Sequence, residues 1–214
     1  MGVILILVLG LLAFLALCFS GLLPKKVLSV YATALQFIKG TGVFTPRHKR
    51  VFDYDEVVEN VFVGRQPRHK KDIHTLIEEQ QVKAVIVLNE EKELFVKNYI
   101  TVLNDLGIEK LHIPTPDYQG PSVEQLHEAV DFIRYFAERD EPVYIHCHGG
   151  KGRSAAVAAA YVLSCSEDTS NVKSAVKAVK KKRTVTSDSL MRFPVSSQSR
   201  CLHSYAKTLK SKSS

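Results

Sequence analysis

In the stretch "VYIHCHGGKGRSAAVAAAYVL" (143–163), Cys147 and Arg153 stand six positions apart around Gly149, Gly150 and Gly152. A short apolar run leads in and an alanine-rich segment follows, which is the order strand, glycine loop, helix. A loop of that kind turns successive backbone N–H groups toward one point at the positive end of a helix dipole, and such a point holds an anion. His148, Gly149, Gly150, Lys151 and Gly152 are the candidate phosphate-binding positions, with the glycines letting the backbone curl. A thiol inside a ring of donors and beside an arginine ionises readily. Its pKa is expected to drop from about 8.5 into the range of roughly 3.5–7.5. The planar guanidinium of Arg153 suits two phosphate oxygens at once. Nucleophile, anion cradle and two-pronged clamp together fit a phosphate monoester cleaved through a cysteinyl-phosphate intermediate. A cysteine buried only for packing requires none of this scaffolding.

The nine residues "HCHGGKGRS" resemble the protein tyrosine phosphatase signature His-Cys-x-x-Gly-x-x-Arg-Ser/Thr, with His146, Cys147, Gly150, Arg153 and Ser154 in place. The resemblance implies that Cys147 attacks phosphorus, Arg153 binds the phosphoryl oxygens, His146 orients the loop and Ser154 assists release of the thiolate. The Lys151–Gly152–Arg153 triplet resembles that of lipid-directed members, which implies that Lys151 meets a charged head group; a solvated surface lysine is the alternative. Breaking the ester also needs a proton donor. The family carries an aspartate for this on a loop before the cysteine, and "HIPTPDYQGPS" places Asp117 there. Ser122 already offers the cap of the next helix, so Asp117 has no evident structural duty; Asp105 and Asp140 are weaker candidates.

The chain is compact for a tyrosine-only enzyme and is similar to the dual-specificity class. Most of 50–182 resembles the mitochondrial lipid phosphatases that act on phosphatidylglycerophosphate on the route to cardiolipin, most specifically at Asn89–Glu90–Glu91 and in the Asp117 loop. Two departures stand out. His148–Gly149–Gly150 replaces the Lys-Ala-Gly of that family, and its Arg-Pro-Ser-Gln before the last helix survives only as Ser197–Gln198. The leading expectation is a phosphatidylglycerophosphatase. The alternatives are a dual-specificity protein phosphatase acting on phospho-Tyr, -Ser or -Thr and a catalytically weak phosphate-binding adaptor. A rhodanese-type sulfur transferase gives no reason for Asp117.

The elements that must position these residues read as an α/β fold with a central, mainly parallel sheet flanked by helices. Strands are expected at Val61–Val63, stopped by Gly64 and Pro67, at 82–88 ("VKAVIVL"), in "EKLHIPT" and at 143–146. Helices are expected over 72–80, where Ile73, Leu76 and Ile77 share a face, and from Ser122. There Ser122 and Gln125 form a capping box, and Val123, Leu126, Val130, Ile133 and Phe136 or Ala137 make the buried face. Further helices are expected at Ser154–Leu163 and in "CLHSYAKTL". The catalytic domain is expected to run over 53–209, with 210–214 as a tail.

Ahead of that domain, residues 3–23 form 21 positions without a charge, long enough for a transmembrane helix. A cleaved signal peptide is the alternative, but no positive region precedes the run and Lys25 and Lys26 follow it at once. Residues 24–52 read as a basic juxtamembrane linker. No acidic residue precedes Asp53, and the net charge of +7 is strengthened late by "KAVKKKR" (177–183), so an anionic partner is expected: a membrane surface or a phosphorylated substrate. Neither a zinc-ligand spacing nor a basic stripe interleaved with aromatics points to nucleic acid. Cys18, Cys147, Cys165 and Cys201 make no disulfide framework, which places the domain in a reducing compartment. No metal or other cofactor is called for, since arginine and amides carry the charge. The family resemblance implies the mitochondrial inner membrane, the endoplasmic reticulum being the other candidate. The sequence assigns no oligomeric state.

Overall fold

Strands β1 (Tyr54–Val58), β2 (Val61–Arg65), β3 (Ala84–Val87), β4 (Glu109–His112) and β5 (Val143–Cys147) form one sheet in the order β1-β2-β5-β3-β4. The computed structural model describes residues 52–183 and 197–213. β2, β5, β3 and β4 run parallel, and β1 folds back antiparallel on β2 as the edge. The sheet is thus mixed, parallel except at that edge. Gly64 does not stop its strand as expected: β2 runs through it to Arg65, and Pro67 follows the strand end. A side chain at Gly64 would collide with Tyr144 and Tyr54, so glycine is there for close approach rather than for a turn.

Helices cover both faces, and every residue of β3 and β5 is buried. One face carries α1 (Lys70–Glu78) and α2 (Tyr99–Asp105). There Ile73, Leu76, Tyr99 and Leu103 pack on Val85, Val87 and Tyr144. The other face carries α3 (Val123–Ala137), α4 (Arg153–Ser164), α5 (Val172–Lys182) and α6 (Ser197–Ser213) over Ile86, Val143, Ile145 and Cys147. α4 is central among these. Ala155, Ala156, Ala158, Ala159 and Ala160 are all buried, as a helix enclosed on every side requires. Their small side chains let sheet and helices approach it closely.

The Ser122 capping box forms as the sequence predicts: Ser122 Oγ accepts from Gln125 N at 3.2 Å and Gln125 Oε1 accepts from Ser122 N at 2.8 Å. β1, α2 and α5 are elements the sequence reading left out. The 177–183 run, read only as surface charge, is the end of α5 and the residue after it. Val172, Ala175, Val176 and Val179 are the buried face of that helix. The expected transmembrane helix at 3–23 lies outside the described residues, as does all of the 24–52 linker except Phe52. Among the described residues no helix is long and apolar enough to cross a membrane.

Candidate active site

The central strand β5 delivers Cys147 to the carboxyl-terminal end of the parallel sheet, where an α/β fold leaves a crevice for ligands. The chain then turns through 148–152 and enters α4 at Arg153. Gly152, at the N-cap, makes no side-chain cap, so the first amides of α4 remain open toward the loop. Gly150 has φ +68°, and a Cβ there would run into the Gly64 carbonyl. Only glycine fits.

The outside of the loop is held by Arg183, which is almost fully buried. Its Nε donates to Gly150 O at 2.7 Å and its Nη2 to Gly149 O at 3.4 Å. The rest of the guanidinium pairs with Asp55 at 2.7 Å and Asp53 at 3.2 Å. In a trans peptide the carbonyl and the next N–H point opposite ways. Drawing the Gly149 and Gly150 carbonyls outward therefore turns the Gly150 and Lys151 amides inward. The basic run that suggested a surface patch ends in a buried support of the loop.

Cys147 is 4% exposed, with its Sγ 3.3 Å from Ser154 Oγ. Burial alone would raise its pKa. The Arg153 guanidinium and the hydrogen bonds from Ser154 side chain and backbone outweigh that and hold the thiol below its ordinary range. Arg153 is itself buried. Its Nη1 donates to Glu93 Oε2 at 2.7 Å, Thr115 O at 2.6 Å and Leu88 O at 3.3 Å, and its Nη2 lies 3.3 Å from Glu93 Oε1 and 3.2 Å from Asp117 Oδ1. Against the cost of burial, Asp117, Cys147 and Glu93 hold its proton firmly. Arg153 Nε is buried and has no hydrogen-bond partner among the described residues.

His146 Nδ1 bonds Asn89 Oδ1 at 3.2 Å, and Asn89 Nδ2 reaches Glu93 Oε2 at 3.5 Å. Burial first, and the nearby Arg153 charge second, push the imidazole down to about 3, so it stays neutral. Its proton then sits on Nδ1, facing the amide oxygen. His146 thus acts on the loop through Asn89 and Glu93.

Asp117 lies in the segment between β4 and α3. That segment is bound to the site at Thr115 O and to α6, where Gly120 N donates to Ser197 Oγ at 3.1 Å and Gln198 Nε2 to Gln119 O at 3.3 Å. Gln198 also lines Gly152, where an added Cβ would sit 3.0 Å from its Nε2. Ser197–Gln198, the remnant noticed in the sequence, therefore braces both the loop and the Asp117 segment. Asp105 ends α2, and Asp140 bonds Asn60 at 2.5 Å beside the start of β5, so neither approaches Cys147. Lys151 is half-buried in the loop. His148 turns sideways, its Nδ1 2.9 Å from Gln66 Nε2.

The structure brings together His146, Cys147, Arg153, Ser154 and Asp117. It adds Glu93, Asn89, Gln66 and Arg183, none of which sequence reasoning assigned a role. Glu93 was hidden among Glu90 and Glu91, and only its fold position picks it out. Among the described residues no group of three or more His, Cys, Asp or Glu side chains is placed to hold a metal ion. A cleft of about 630 Å³ lined by Lys83, Glu109, Phe132 and Tyr135 lies at the opposite end of the strands.

Comparison with known proteins agrees with this geometry. Residues 63–167 match the family model "Polymorphic toxin system, DSP-PTPase phosphatase". The chain is 31% identical over 135 residues to the rat phosphatidylglycerophosphatase and protein-tyrosine phosphatase 1, covering 62% of this chain and 68% of the relative. It is 34% identical over 111 residues to the phosphatidylglycerophosphate phosphatase PTPMT2 of Arabidopsis thaliana, covering 51% and 47%. The crystal structure of PTPMT1 in complex with PI(5)P superposes with a TM-score of 0.65 at 26% identity, covering 75% of this chain and 99% of that one.

Proposed function

The chain belongs to the cysteine-dependent phosphatases of the dual-specificity class, in the family of the phosphatidylglycerophosphatase and protein-tyrosine phosphatase 1 proteins, and on that premise we propose that its substrate is a phospholipid monoester, phosphatidylglycerophosphate. The observation that carries the chemistry is the ionisable Cys147 sulfur beside Ser154, under an arginine that also touches Asp117. In the proposed first step Cys147 Sγ attacks phosphorus in line with the ester oxygen. The P–O bond breaks, and Asp117 gives its proton to the leaving alkoxide. The Nε–Nη2 edge of Arg153 and the inward loop amides hold the phosphoryl oxygens, with no reorganisation needed as charge builds. In the second step Asp117 takes a proton from water, whose oxygen attacks phosphorus. The thiolate departs with a hydrogen bond from Ser154, and inorganic phosphate is released. Neutral His146 holds the loop through Asn89.

Three features support the lipid reading: the named activity of the rat and Arabidopsis relatives, the Lys151–Gly152–Arg153 triplet, and the basic balance of the sequence. The apolar residues 3–23 fit a membrane anchor, in a mitochondrial membrane by the same resemblance, with the product passing toward cardiolipin. The test is phosphate release by the purified full chain from phosphatidylglycerophosphate in mixed micelles and from phosphotyrosine and phosphothreonine peptides. The lipid is expected to be preferred in kcat/KM, with all release lost in Cys147→Ser. Preference for the peptides makes it a protein phosphatase. Stoichiometric binding without turnover makes it an adaptor.

A further inference from the structure

One large apolar side chain stands at the mouth of the site in the open. Phe95 is 46% exposed, and among the described residues only Leu106 and Tyr135 are large hydrophobics exposed to a similar degree. Its neighbours Leu94 and Val96 pack into the core beside α1 and α2. The chain therefore buries apolar groups on both sides of Phe95 and turns this one outward. The ring is not loose. Its centroid lies 5.3 Å from that of His148, the residue after the nucleophile, and the Arg68 guanidinium carbon lies 5.0 Å from the ring centroid.

The backbone beneath is tied to the phosphate loop at two points. Glu93, two residues earlier, bonds Arg153. Phe95 N donates to Gln66 Oε1 at 3.2 Å, and the same amide side chain reaches His148 Nδ1 at 2.9 Å. Gln66 is 1% exposed, and its own N–H donates to Cys147 O at 2.8 Å. One buried amide thus fixes an exposed aromatic ring to the nucleophile's strand and loop at once. An aromatic face flanked by a cation is the pairing that suits the border between lipid phosphates and apolar chains.

We propose that Phe95, backed by His148 and Arg68, is a specificity-determining residue that contacts the apolar body of a lipid substrate while its phosphate lies in the loop. Arg68 faces the phosphates of neighbouring anionic lipids. The proposal rests on the lipid-monoester reading above and names the part of the site that distinguishes a lipid from its water-soluble head group.

The experiment compares kcat/KM for phosphatidylglycerophosphate in phosphatidylcholine–phosphatidylglycerol vesicles with that for its deacylated form, glycerophosphoglycerophosphate, using the full chain. Wild type, Phe95→Ala, Phe95→Trp and Arg68→Ala are measured side by side. In Phe95→Ala the lipid-to-deacylated ratio is expected to fall about five- to tenfold, the scale of losing a half-buried ring contact, mainly through KM. Phe95→Trp is expected to restore it, and Arg68→Ala to lower it only on anionic vesicles. An equal fall on both substrates, or no fall on either, overturns the proposal. A wild-type chain that prefers neither the lipid to its deacylated form nor the lipid to phosphopeptides overturns instead the reading on which it stands. Since Phe95 is already exposed, the variants test contact rather than folding.

Discussion

Replacing Arg183 with methionine isolates the support of the loop from the groups that touch substrate. Methionine keeps most of the buried apolar volume and removes the guanidinium. Asp53 and Asp55 are about half and over a third exposed, so their loss of a partner costs little. The main effect falls on the carbonyls of Gly149 and Gly150, which lose a charged donor at 3.4 and 2.7 Å. A buried acceptor left without a partner costs about 1–3 kcal/mol, and the shorter bond carries most of this, so unfolding stability should fall by about 2–4 kcal/mol. For a domain of this size that is a drop of about 5–15 °C in Tm. The folded fraction at 20 °C stays high, and the remaining defect is local. Without the outward pull, the Gly150 and Lys151 amides are free to turn from the cradle. Losing one well-placed donor lowers kcat by about 10²–10³, so partial disorder of two should lower kcat/KM for a small soluble monoester by about 10–100-fold. Vanadate, which needs the same amides, should weaken in parallel, and the pH at which Cys147 alkylates half-maximally should rise. Arg183→Lys, keeping one donor, should recover part of each. Asp53→Asn with Asp55→Asn should lose less than Arg183→Met in all three. A variant with lowered Tm but unaltered vanadate affinity and alkylation profile would refute the idea that Arg183 orients the amides.

Asp117→Asn should lower kcat by about 10²–10⁴ on poor leaving groups and much less on a nitrophenyl ester, whose phenoxide leaves without help; stopped-flow kinetics on both esters check this. The Cys147 thiol, held below its ordinary range, is ionised above its lowered pKa and protonates as pH falls through it, so alkylation and kcat/KM should both decline on the acid side, with the alkylation midpoint below that of a free thiol. Peroxide should form a sulfenic acid on Cys147 that vanadate prevents. Cys201, pushed up to about 12 by burial, should stay unlabelled in the same mass spectra. Glu93→Gln leaves the buried Arg153 with fewer charged partners and should reduce stability by about 3 kcal/mol in urea unfolding, the low end for breaking a buried pair because Asp117 remains.

How much of this was legible follows from range. The Cys147–Ser154 segment is strand, loop and helix in one continuous stretch, so local pattern sufficed to place the nucleophile, the amides and Arg153. The capped helix after Asp117 was equally local, since a Ser and a Gln three apart need only each other. Arg183 could not be read the same way. In sequence it closes the run Lys180–Lys181–Lys182, and nothing nearby separates a buried arginine from three lysines on a helix end. What separates them is contact with Asp53 and Asp55, more than 120 positions earlier. Glu93 hid among acidic neighbours for the same reason, its partner being 60 positions away. β1 was missed because its five residues include two acids, one of which serves Arg183 rather than solvent alone.

The strand order explains why the supports come from where they do. β5 is the middle strand, so the loop that follows it is flanked by whatever follows β2 on one side and β3 on the other. After β2 comes Gln66; after β3 come Asn89 and Glu93. One step further out, the segment after β4 supplies Asp117, while Asp55 of the edge strand β1 and Asp53 just before it act on the loop through Arg183. A nucleophile on an edge strand would lack half of these neighbours. The buried Arg153–Glu93 pair fits the same logic. Such a pair adds little net stability over well-packed apolar groups, because taking both charges out of water offsets their attraction. Its value here is orientation. The Leu88 and Thr115 carbonyls hold Nη1, and the Glu93 carboxylate spans Nη1 and one side of Nη2. That leaves the Nε–Nη2 edge, met among the described residues by Asp117 at Nη2, to face the phosphate. A clamp that must grip phosphate from one direction needs its other directions occupied, and the central strand is the one place in this sheet where neighbours on both sides can occupy them.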